Sequence, residues 1–190
     1  MFKRLAVSNR HLVQGDFLAQ LARLCQGTLR PDALVLREKD LTAEQYLQLA
    51  QEVLLLCNRE ELPLIIHNFW RVALLLHCPL QVPLAVLRSP ELQAERSHFP
   101  RLGTSVHSLA EAQEAVALGA DYIVAGHIFA TNCKPGLPPR GLDFLQEICA
   151  QVKLPVYAIG GLQLHNRTQL EQVAACGAQG ACFMSDYMQY

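Results

Sequence analysis

The chain has 190 residues, of which 51% are hydrophobic and 17% are charged; this balance suits one folded domain over residues 1–190 and excludes a disordered chain. Its formal net charge of −1 argues against a general nucleic-acid or membrane-surface binder, because both classes of protein need a basic excess. No apolar run approaches the length of a bilayer span, and the first residues lead into a predicted strand instead of a signal peptide.

Short apolar runs rich in β-forming residues recur along the chain and predict eight strands. They cover residues 5–8, 33–36, 62–66, 81–86, 101–106, 122–125, 155–159 and 180–184. The spacing of apolar residues predicts helices between them, at about 17–25, 43–57, 70–76, 109–119, 142–152 and 167–176. Two of these helices begin with a capping-box pattern, formed by Thr42 with Gln45 and by Ser108 with Glu111.

The strict alternation of strands and helices indicates parallel strands joined by right-handed crossovers. Eight such units predict a single, compact α/β domain, a (β/α)8 TIM barrel, although the chain is near the lower end of the size range of that fold. The connections between residues 79 and 99 are too brief for full helices, so we expect shortened connections around strands 3 to 5. An open, doubly wound sheet is the alternative, and the count of eight strands favours the barrel.

Seven cysteines are scattered through the sequence without a C-x-x-C pair. Most of them fall within apolar helical or strand patterns, which is typical of reduced core residues in a cytoplasmic protein. Cys133 differs because it lies in a polar loop, and we interpret it as a structural or incidental residue in preference to a nucleophile.

One histidine, His127, directly follows the sixth predicted strand. The residues that follow parallel strands converge on one mouth of a barrel, where α/β enzymes place their chemistry. A polar loop that contains Thr131 and Lys134 comes a few residues later. These neighbours favour a place for His127 in the chemistry of the site, whereas the simpler interpretation is a histidine that caps a strand.

A phosphate site is predicted after the last two strands. Gly160 and Gly161 follow the seventh strand, and glycines there let backbone N–H groups approach an anion closely. Met184 and Ser185 follow the eighth strand, where the backbone and a hydroxyl can hold phosphate oxygens. Glycine pairs usually mark turns, but these positions are the usual phosphate site of barrels.

Other polar residues follow the remaining strands and suit an anionic ligand. Arg37 and Lys39 follow the second strand, Ser105 ends the fifth, and Thr131 and Lys134 follow the sixth. Alternation along an extended segment lets Arg37 and Lys39 both point inward. The set would suit an anionic ligand with charge at two ends, one of them a phosphate and the other, for example, a carboxylate. The alternative is that Arg37 and Lys39 form surface pairs with the two acidic residues beside them.

The predicted mouth offers few ligands to a metal ion. No pair of aspartates suggests a magnesium site, and His67, Asn68 and Phe69, which follow the third strand, are poor partners for a hard cation. We therefore predict no metal and no cofactor, and we interpret His67 as a packed or polar-network histidine.

Over nearly its whole length the chain resembles the thiamin phosphate synthase/TenI superfamily of (β/α)8 barrels. The matching stretches are L-R-E-K-D at 36–40, S-V-H-S at 105–108, G-A-D-Y-I at 119–123, F-A-T-N-C-K-P-G at 129–136, A-I-G-G at 158–161 and M-S at 184–185. The resemblance implies a cytoplasmic homodimer that acts on a small phosphorylated thiazole. It also implies phosphate binding by the backbone at Gly160, Gly161, Met184 and Ser185.

Two branches of this superfamily differ in chemistry. Thiamin phosphate synthase joins a pyrimidine pyrophosphate to thiazole phosphate and needs magnesium. This chain departs from the synthase pattern, with Val35 for a glutamine, residues 67–69 for an Asn-Asp-Arg triplet, and Cys133 for the second threonine of T-x-T-K. The G-H-x-F turn at 126–129, followed by T-x-C-K-x-G, instead resembles TenI, the thiazole tautomerase of thiamin biosynthesis, whose histidine at this turn is the proposed acid/base residue.

The resemblance therefore implies a thiazole tautomerase, an isomerase that aromatises a thiazole carboxylate phosphate by proton transfer through His127. One alternative is a magnesium-dependent thiamin phosphate synthase. Another is a non-catalytic, ligand-binding barrel with a regulatory role, although the sequence has no helix-turn-helix or basic stripe that would support DNA contact.

Overall fold

The chain folds into a closed barrel of eight parallel strands. The computed structural model describes residues 1–131 and 136–189. The strands are β1 (Lys3–Val7), β2 (Ala33–Leu36), β3 (Leu64–His67), β4 (Leu80–Pro83), β5 (Leu102–Val106), β6 (Tyr122–Gly126), β7 (Val156–Ile159) and β8 (Gly180–Phe183). Neighbours in the sequence are neighbours in the barrel, and β1 closes the ring by pairing with β8. The predicted TIM barrel is confirmed.

Helices and short turns connect the strands. They are α1 (Phe17–Gln26), α2 (Ala43–Arg59), α3 (Trp70–Leu75), α4 (Leu84–Leu87), α5 (Pro90–Ala94), α6 (Leu109–Ala117), α7 (Gly141–Gln151), α8 (Arg167–Ala175) and α9 (Ser185–Met188), with 3-10 turns at Arg10–Leu12 and Arg96–His98. Within the described ranges, none of these helices is both long and apolar enough to cross a bilayer.

The fourth strand is shorter than its apolar sequence predicts. The prediction of a strand over 81–86 is wrong beyond Pro83, because β4 ends there and α4 begins at Leu84. Leu84 and Leu87 are both buried, and their i, i+3 spacing places them on one face of a helical turn. A short apolar run can form either a buried strand or a buried helix, and periodicity alone does not separate the two.

Side chains along the strands alternate between two hydrophobic clusters. The inner cluster fills the barrel with Leu5, Val7, Ala33, Val35, Ile65, Tyr122, Val124, Tyr157 and Cys182. The residues between them, such as Leu34 and Ile66, belong to the larger outer cluster beneath the helices. A residue two positions beyond the last inner side chain of a strand therefore continues on the inner face, at the barrel mouth.

The two predicted capping boxes differ in the structure. Thr42 and Gln45 form a complete box at the start of α2. At the start of α6, the Ser108 side chain accepts a hydrogen bond from the Glu111 N–H at 3.1 Å. The Glu111 carboxylate, however, accepts the N–H of His107 at 2.6 Å, one residue before the predicted partner. This contact ties the end of β5 to α6.

The six cysteines that the structure describes are free thiols, and four of them are buried. Burial raises the pKa of Cys57 and of Cys182 to about 12, so both are protonated and unreactive at neutral pH. Cys133 lies outside the described residues.

Candidate functional site

The predicted site residues lie at the carboxyl-terminal mouth of the barrel. Those that the structure describes are Arg37 and Lys39 after β2, Ser105 in β5, His127 and Thr131 after β6, Gly160 and Gly161 after β7, and Met184 and Ser185 after β8. Parallel barrel strands all end at one mouth, so these segments share one side of the molecule. Thr131 is half-buried, and Lys134 lies outside the described residues.

The segment after β2 is fixed by a buried carboxylate that the sequence prediction does not include. Arg37 is half-buried and Lys39 is exposed, whereas Glu38 between them is only 2% exposed. The Glu38 carboxylate accepts the Ser8 hydroxyl at 2.6 Å and a guanidinium N–H of Arg10 at 3.0 Å. The Ser8 hydroxyl in turn accepts the backbone N–H of Arg37 at 2.8 Å. Glu38 therefore pairs with Arg10 and is not a surface partner of its neighbours.

An open groove of about 190 Å³ lies beside this segment. Its lining residues are Asn9, His11, Arg37, Glu38, Lys39 and Asp40. Asp40 forms an ion pair and a hydrogen bond with Arg10, which hold the pKa of the Asp40 carboxyl well below its usual range. Arg10, Arg37 and Lys39 contribute three positive charges to this part of the rim, and Glu38 and Asp40 contribute two negative charges. The net charge of this part of the rim is therefore positive at neutral pH.

The His127 side chain is buried and held from one side. It is 5% exposed, and its Nε2 lies 3.3 Å from the backbone oxygen of Leu137. A carbonyl oxygen only accepts hydrogen bonds, so in this contact Nε2 is the donor, and the tautomer that makes this contact has its lone pair on Nδ1. Nδ1 is buried without a hydrogen-bond partner in the described structure. The imidazole is therefore arranged with an unused basic atom.

The glycine pair after β7 supports the His127 turn as well as the predicted phosphate site. Both glycines have positive φ, +99° at Gly160 and +68° at Gly161. A Cβ atom at Gly160 would overlap the Cβ of His127, and one at Gly161 would overlap the backbone oxygen of Ala130. Only glycine permits this backbone conformation together with this close approach. The turn after β6 therefore rests directly on the end of β7.

The loop after β7 is tied to the segment after β8. Asp186, in the first turn of α9, accepts the backbone N–H of Leu164 at 2.5 Å. Met184 packs partly against the inner cluster, whereas the Ser185 side chain is exposed. The two segments predicted to bind phosphate are thus held to each other by a carboxylate–backbone hydrogen bond.

Polar side chains interrupt the apolar interior on the side of β3, β4 and β5. Gln81 is buried in β4; its Nε2 lies 3.5 Å from the Ser105 hydroxyl, and its Oε1 accepts the Tyr122 hydroxyl at 3.4 Å. On the neighbouring strand, the register partner of Gln81 is His67. Gln81 is absent from the sequence prediction, although a polar residue within an apolar strand was a signal for it.

His67 itself is buried at the end of β3 and is 7% exposed. Its backbone N–H donates to the hydroxyl of Tyr46 at 3.2 Å, while its ring Nδ1 is buried without a partner in the part of the chain described. Burial, together with the positive charges of Arg37 and Lys39, lowers the pKa of His67 to about 4. The imidazole is therefore neutral at pH 7, and its burial agrees with the packed alternative of the prediction.

The described mouth residues do not fit a magnesium ion. Mg²⁺ in enzymes is usually held by one or two carboxylates together with substrate phosphates. The carboxylates of Glu38, Asp40, Glu111 and Asp186 are all engaged by guanidinium, imidazole, hydroxyl or backbone N–H groups. No group of three His, Cys, Asp or Glu side chains among residues 1–131 and 136–189 is placed to hold a metal.

Comparison with known proteins places this fold and these motifs in one family. A family model described as thiamine monophosphate synthase matches residues 5–187. The thiamine-phosphate synthase 2 of Streptococcus pneumoniae is 34% identical over 190 residues, which cover 96% of this chain and 86% of that protein. The putative thiamine-phosphate synthase 2 of Aquifex aeolicus is 30% identical over 177 residues, which cover 93% and 90%.

Solved structures show the same likeness. The thiamine phosphate pyrophosphorylase from Pyrococcus furiosus superposes with a TM-score of 0.81 at 26% sequence identity. The match covers all of this chain and 88% of the other.

Proposed function

The chain belongs to the thiamine monophosphate synthase/TenI family, and we propose that within thiamin biosynthesis it acts as a thiazole tautomerase. The substrate would be a thiazole carboxylate phosphate with an exocyclic double bond, and the product its aromatic tautomer. This reaction removes one proton from the ring and delivers one to the exocyclic carbon, with no second substrate. The proposal is based on the hydrogen bonding of the His127 ring: Nε2 contacts a backbone carbonyl, and Nδ1 has no hydrogen-bond partner among the described residues.

Nδ1 of His127 is the group proposed to move the proton. The contact of Nε2 with the Leu137 carbonyl leaves Nδ1 with the lone pair, and no described residue uses that lone pair. Nδ1 would accept the ring proton, and the electron pair of the broken C–H bond would shift into the ring. The imidazolium would then return a proton to the exocyclic carbon and regain its starting state. Aromatisation is downhill, so modest acid/base catalysis suffices.

Anionic groups of the substrate would set its position. The backbone around Gly160 and Gly161, with the segment at Met184 and Ser185, is proposed to hold the phosphate. This choice rests on their place after β7 and β8 and on the positive φ of both glycines. Arg37 is proposed to hold the carboxylate.

Lys39 stands beside Arg37 on the rim and would share the carboxylate with it. Ser105, Thr131 and Lys134, chosen from their positions at the ends of the fifth and sixth strands, are proposed as further contacts. Holding both ends of a small substrate places its reacting carbons in one fixed geometry.

A magnesium-dependent thiamin phosphate synthase is the second candidate, and the names of the relatives favour it. In that reaction a pyrimidine pyrophosphate would be the co-substrate. The engaged carboxylates at the mouth and the neutral residues after β3 weigh against this candidate, because they leave no evident ligand set for the metal.

Both activities can be measured with one preparation. The wild-type protein is mixed with the thiazole carboxylate phosphate tautomer, with a chelator or with Mg²⁺, and aromatisation is followed by the change in ultraviolet absorbance. In parallel, thiazole phosphate and the pyrimidine pyrophosphate are supplied with and without Mg²⁺, and thiamin phosphate is quantified. The proposal expects aromatisation at the same rate in chelator. Magnesium-dependent thiamin phosphate formation without aromatisation would establish the synthase.

A further inference from the structure

Arg10 engages both carboxylates of the segment after β2. It begins the 3-10 turn that follows β1. One guanidinium nitrogen donates to Glu38 at 3.0 Å and to Asp40 at 2.8 Å, and a second nitrogen donates to the other oxygen of Asp40. The backbone N–H of Arg10 also lies 3.1 Å and 3.2 Å from the two oxygens of Glu38. A planar guanidinium with five donors can bridge two carboxylates in this way, whereas the single ammonium of a lysine cannot.

Arg37 lies in the same segment, yet it does not share these carboxylates. Among the ion pairs of residues 1–131 and 136–189, none involves Arg37, although Glu38 is its neighbour in the sequence. Its half-buried side chain lines the open groove, and its backbone N–H is fixed by the Ser8 hydroxyl. A guanidinium that lines an open groove and has no carboxylate bound to it is available to an anionic ligand.

The pairing of the carboxylates decides the charge that a ligand meets in this groove. Arg10, Arg37 and Lys39 stand beside Glu38 and Asp40, three cations to two carboxylates. Without Arg10 the net charge would fall to zero. Asp40 is half-exposed and lines the same groove as Arg37, so it would be free to turn towards that guanidinium.

We propose that Arg10 is a positioning residue for substrate recognition: by binding Glu38 and Asp40, it keeps the Arg37 guanidinium available to the substrate carboxylate. This inference rests on the proposed function, in which Arg37 holds that carboxylate. Arg10 itself does not touch the substrate. Its effect is selectivity, because it favours a thiazole phosphate that carries a carboxylate over one that does not.

The test compares two ligands that differ by one carboxyl group. Carboxythiazole phosphate, which is the aromatic product, and thiazole phosphate, which lacks the carboxylate, are titrated into the protein in a calorimeter. The proteins are the wild type, Arg10→Gln and Arg10→Gln/Asp40→Asn. Arg88→Gln is the matched control, because Arg88 also binds one carboxylate, that of Glu114, through two nitrogens, but in an exposed pair between α4 and α6.

We expect Arg10→Gln to bind carboxythiazole phosphate about tenfold more weakly than the wild type, since Asp40 then competes for Arg37. The affinity of Arg10→Gln for thiazole phosphate should stay at the wild-type value. Adding Asp40→Asn should restore most of the lost affinity, because it removes the competing carboxylate. A purely structural role of Arg10 would weaken the binding of both ligands alike, and Asp40→Asn would not reverse that loss.

Two results would overturn this inference and leave the tautomerase proposal intact: wild-type affinity of Arg10→Gln for carboxythiazole phosphate, or an equal loss for both ligands. Equal affinity of the wild-type protein for the two ligands would also overturn it, because Arg37 would then not hold the carboxylate. Failure of the wild type to bind either ligand would overturn both proposals.

Arg10→Gln leaves the buried carboxylate of Glu38 without its counter-ion, and this change can prevent folding. In that event Arg10→Gln/Glu38→Gln takes its place in every titration. The expectations stay the same, namely a selective loss of affinity for carboxythiazole phosphate and its recovery when Asp40→Asn is added.

Discussion

Replacing His67 with glutamine should reduce the loss of stability that the protein shows on mild acidification. Burial, aided by Arg37 and Lys39, lowers the pKa of His67 from 6.5 to about 4. Between these two values the unfolded chain binds more protons than the folded chain. The free energy of unfolding therefore falls as the pH drops through this window and is fully retained above it. Glutamine binds no proton and removes this contribution.

The magnitude follows from the two pKa values. One pH unit of difference is worth about 1.4 kcal/mol, so the complete window from 6.5 to 4 corresponds to about 3 kcal/mol. Roughly 2 kcal/mol of this is lost between pH 7.5 and pH 5, where most carboxylates remain ionised. The His67→Gln variant should lose about 2 kcal/mol less than the wild type over the same interval.

Urea unfolding at pH 7.5 and pH 5 measures this difference directly. His98→Gln, which alters an exposed histidine paired with Glu95, should follow the wild type. Equal losses of unfolding free energy in the wild type and His67→Gln would refute the reasoning, since His67 would then titrate alike in the folded and unfolded chains.

Two further substitutions test the supports of the site. Gly160→Ala should displace His127 and lower the aromatisation rate at least tenfold, because a Cβ atom at this position overlaps the histidine. The control is Gly15→Ala, since Gly15 has a similar positive φ but no atom within 4 Å of the added Cβ. This control should lose only about 1 kcal/mol of stability and keep its aromatisation rate. Equal rates in the two variants would contradict the role of the Gly160 contact. Glu38→Gln should lower the free energy of unfolding by about 1–3 kcal/mol in urea, because the buried carboxylate holds Ser8 and Arg10; unchanged stability would argue against that network.

The barrel was predictable because its signal is local. Each strand is a short apolar run bounded by turn residues, and the count of eight does not depend on exact boundaries. The largest boundary error, at Pro83, lies in a run that is apolar in both the strand and the helix that follows it, whereas the other strand ends differ by two residues or fewer. There the packing of Leu84 and Leu87 favours the helix over the strand, and this packing cannot be derived from the local sequence pattern.

The site was predictable only where a residue follows a strand in sequence. The predictions of His127 and Gly160 as site residues rest on this rule, but their direct contact depends on the adjacency of β6 and β7 in space. His67 was predicted to be a packed or polar-network histidine because no carboxylate or cysteine is spaced to join it; the effect of Arg37 and Lys39 on its pKa acts between neighbouring strands and has no local sequence signal. Gln81 was missed because its polar partners come from other strands of the closed barrel.

The most direct test of the proposed chemistry is the aromatisation rate of His127→Gln in the presence of a chelator, measured beside the wild type. Binding of inorganic phosphate by both proteins shows that the fold and the phosphate segments survive. We expect the wild type to keep its full rate without metal and the rate of His127→Gln to fall by about 10²–10⁴-fold. A His127→Gln variant with the wild-type rate, or a wild-type rate that requires Mg²⁺, would contradict this expectation.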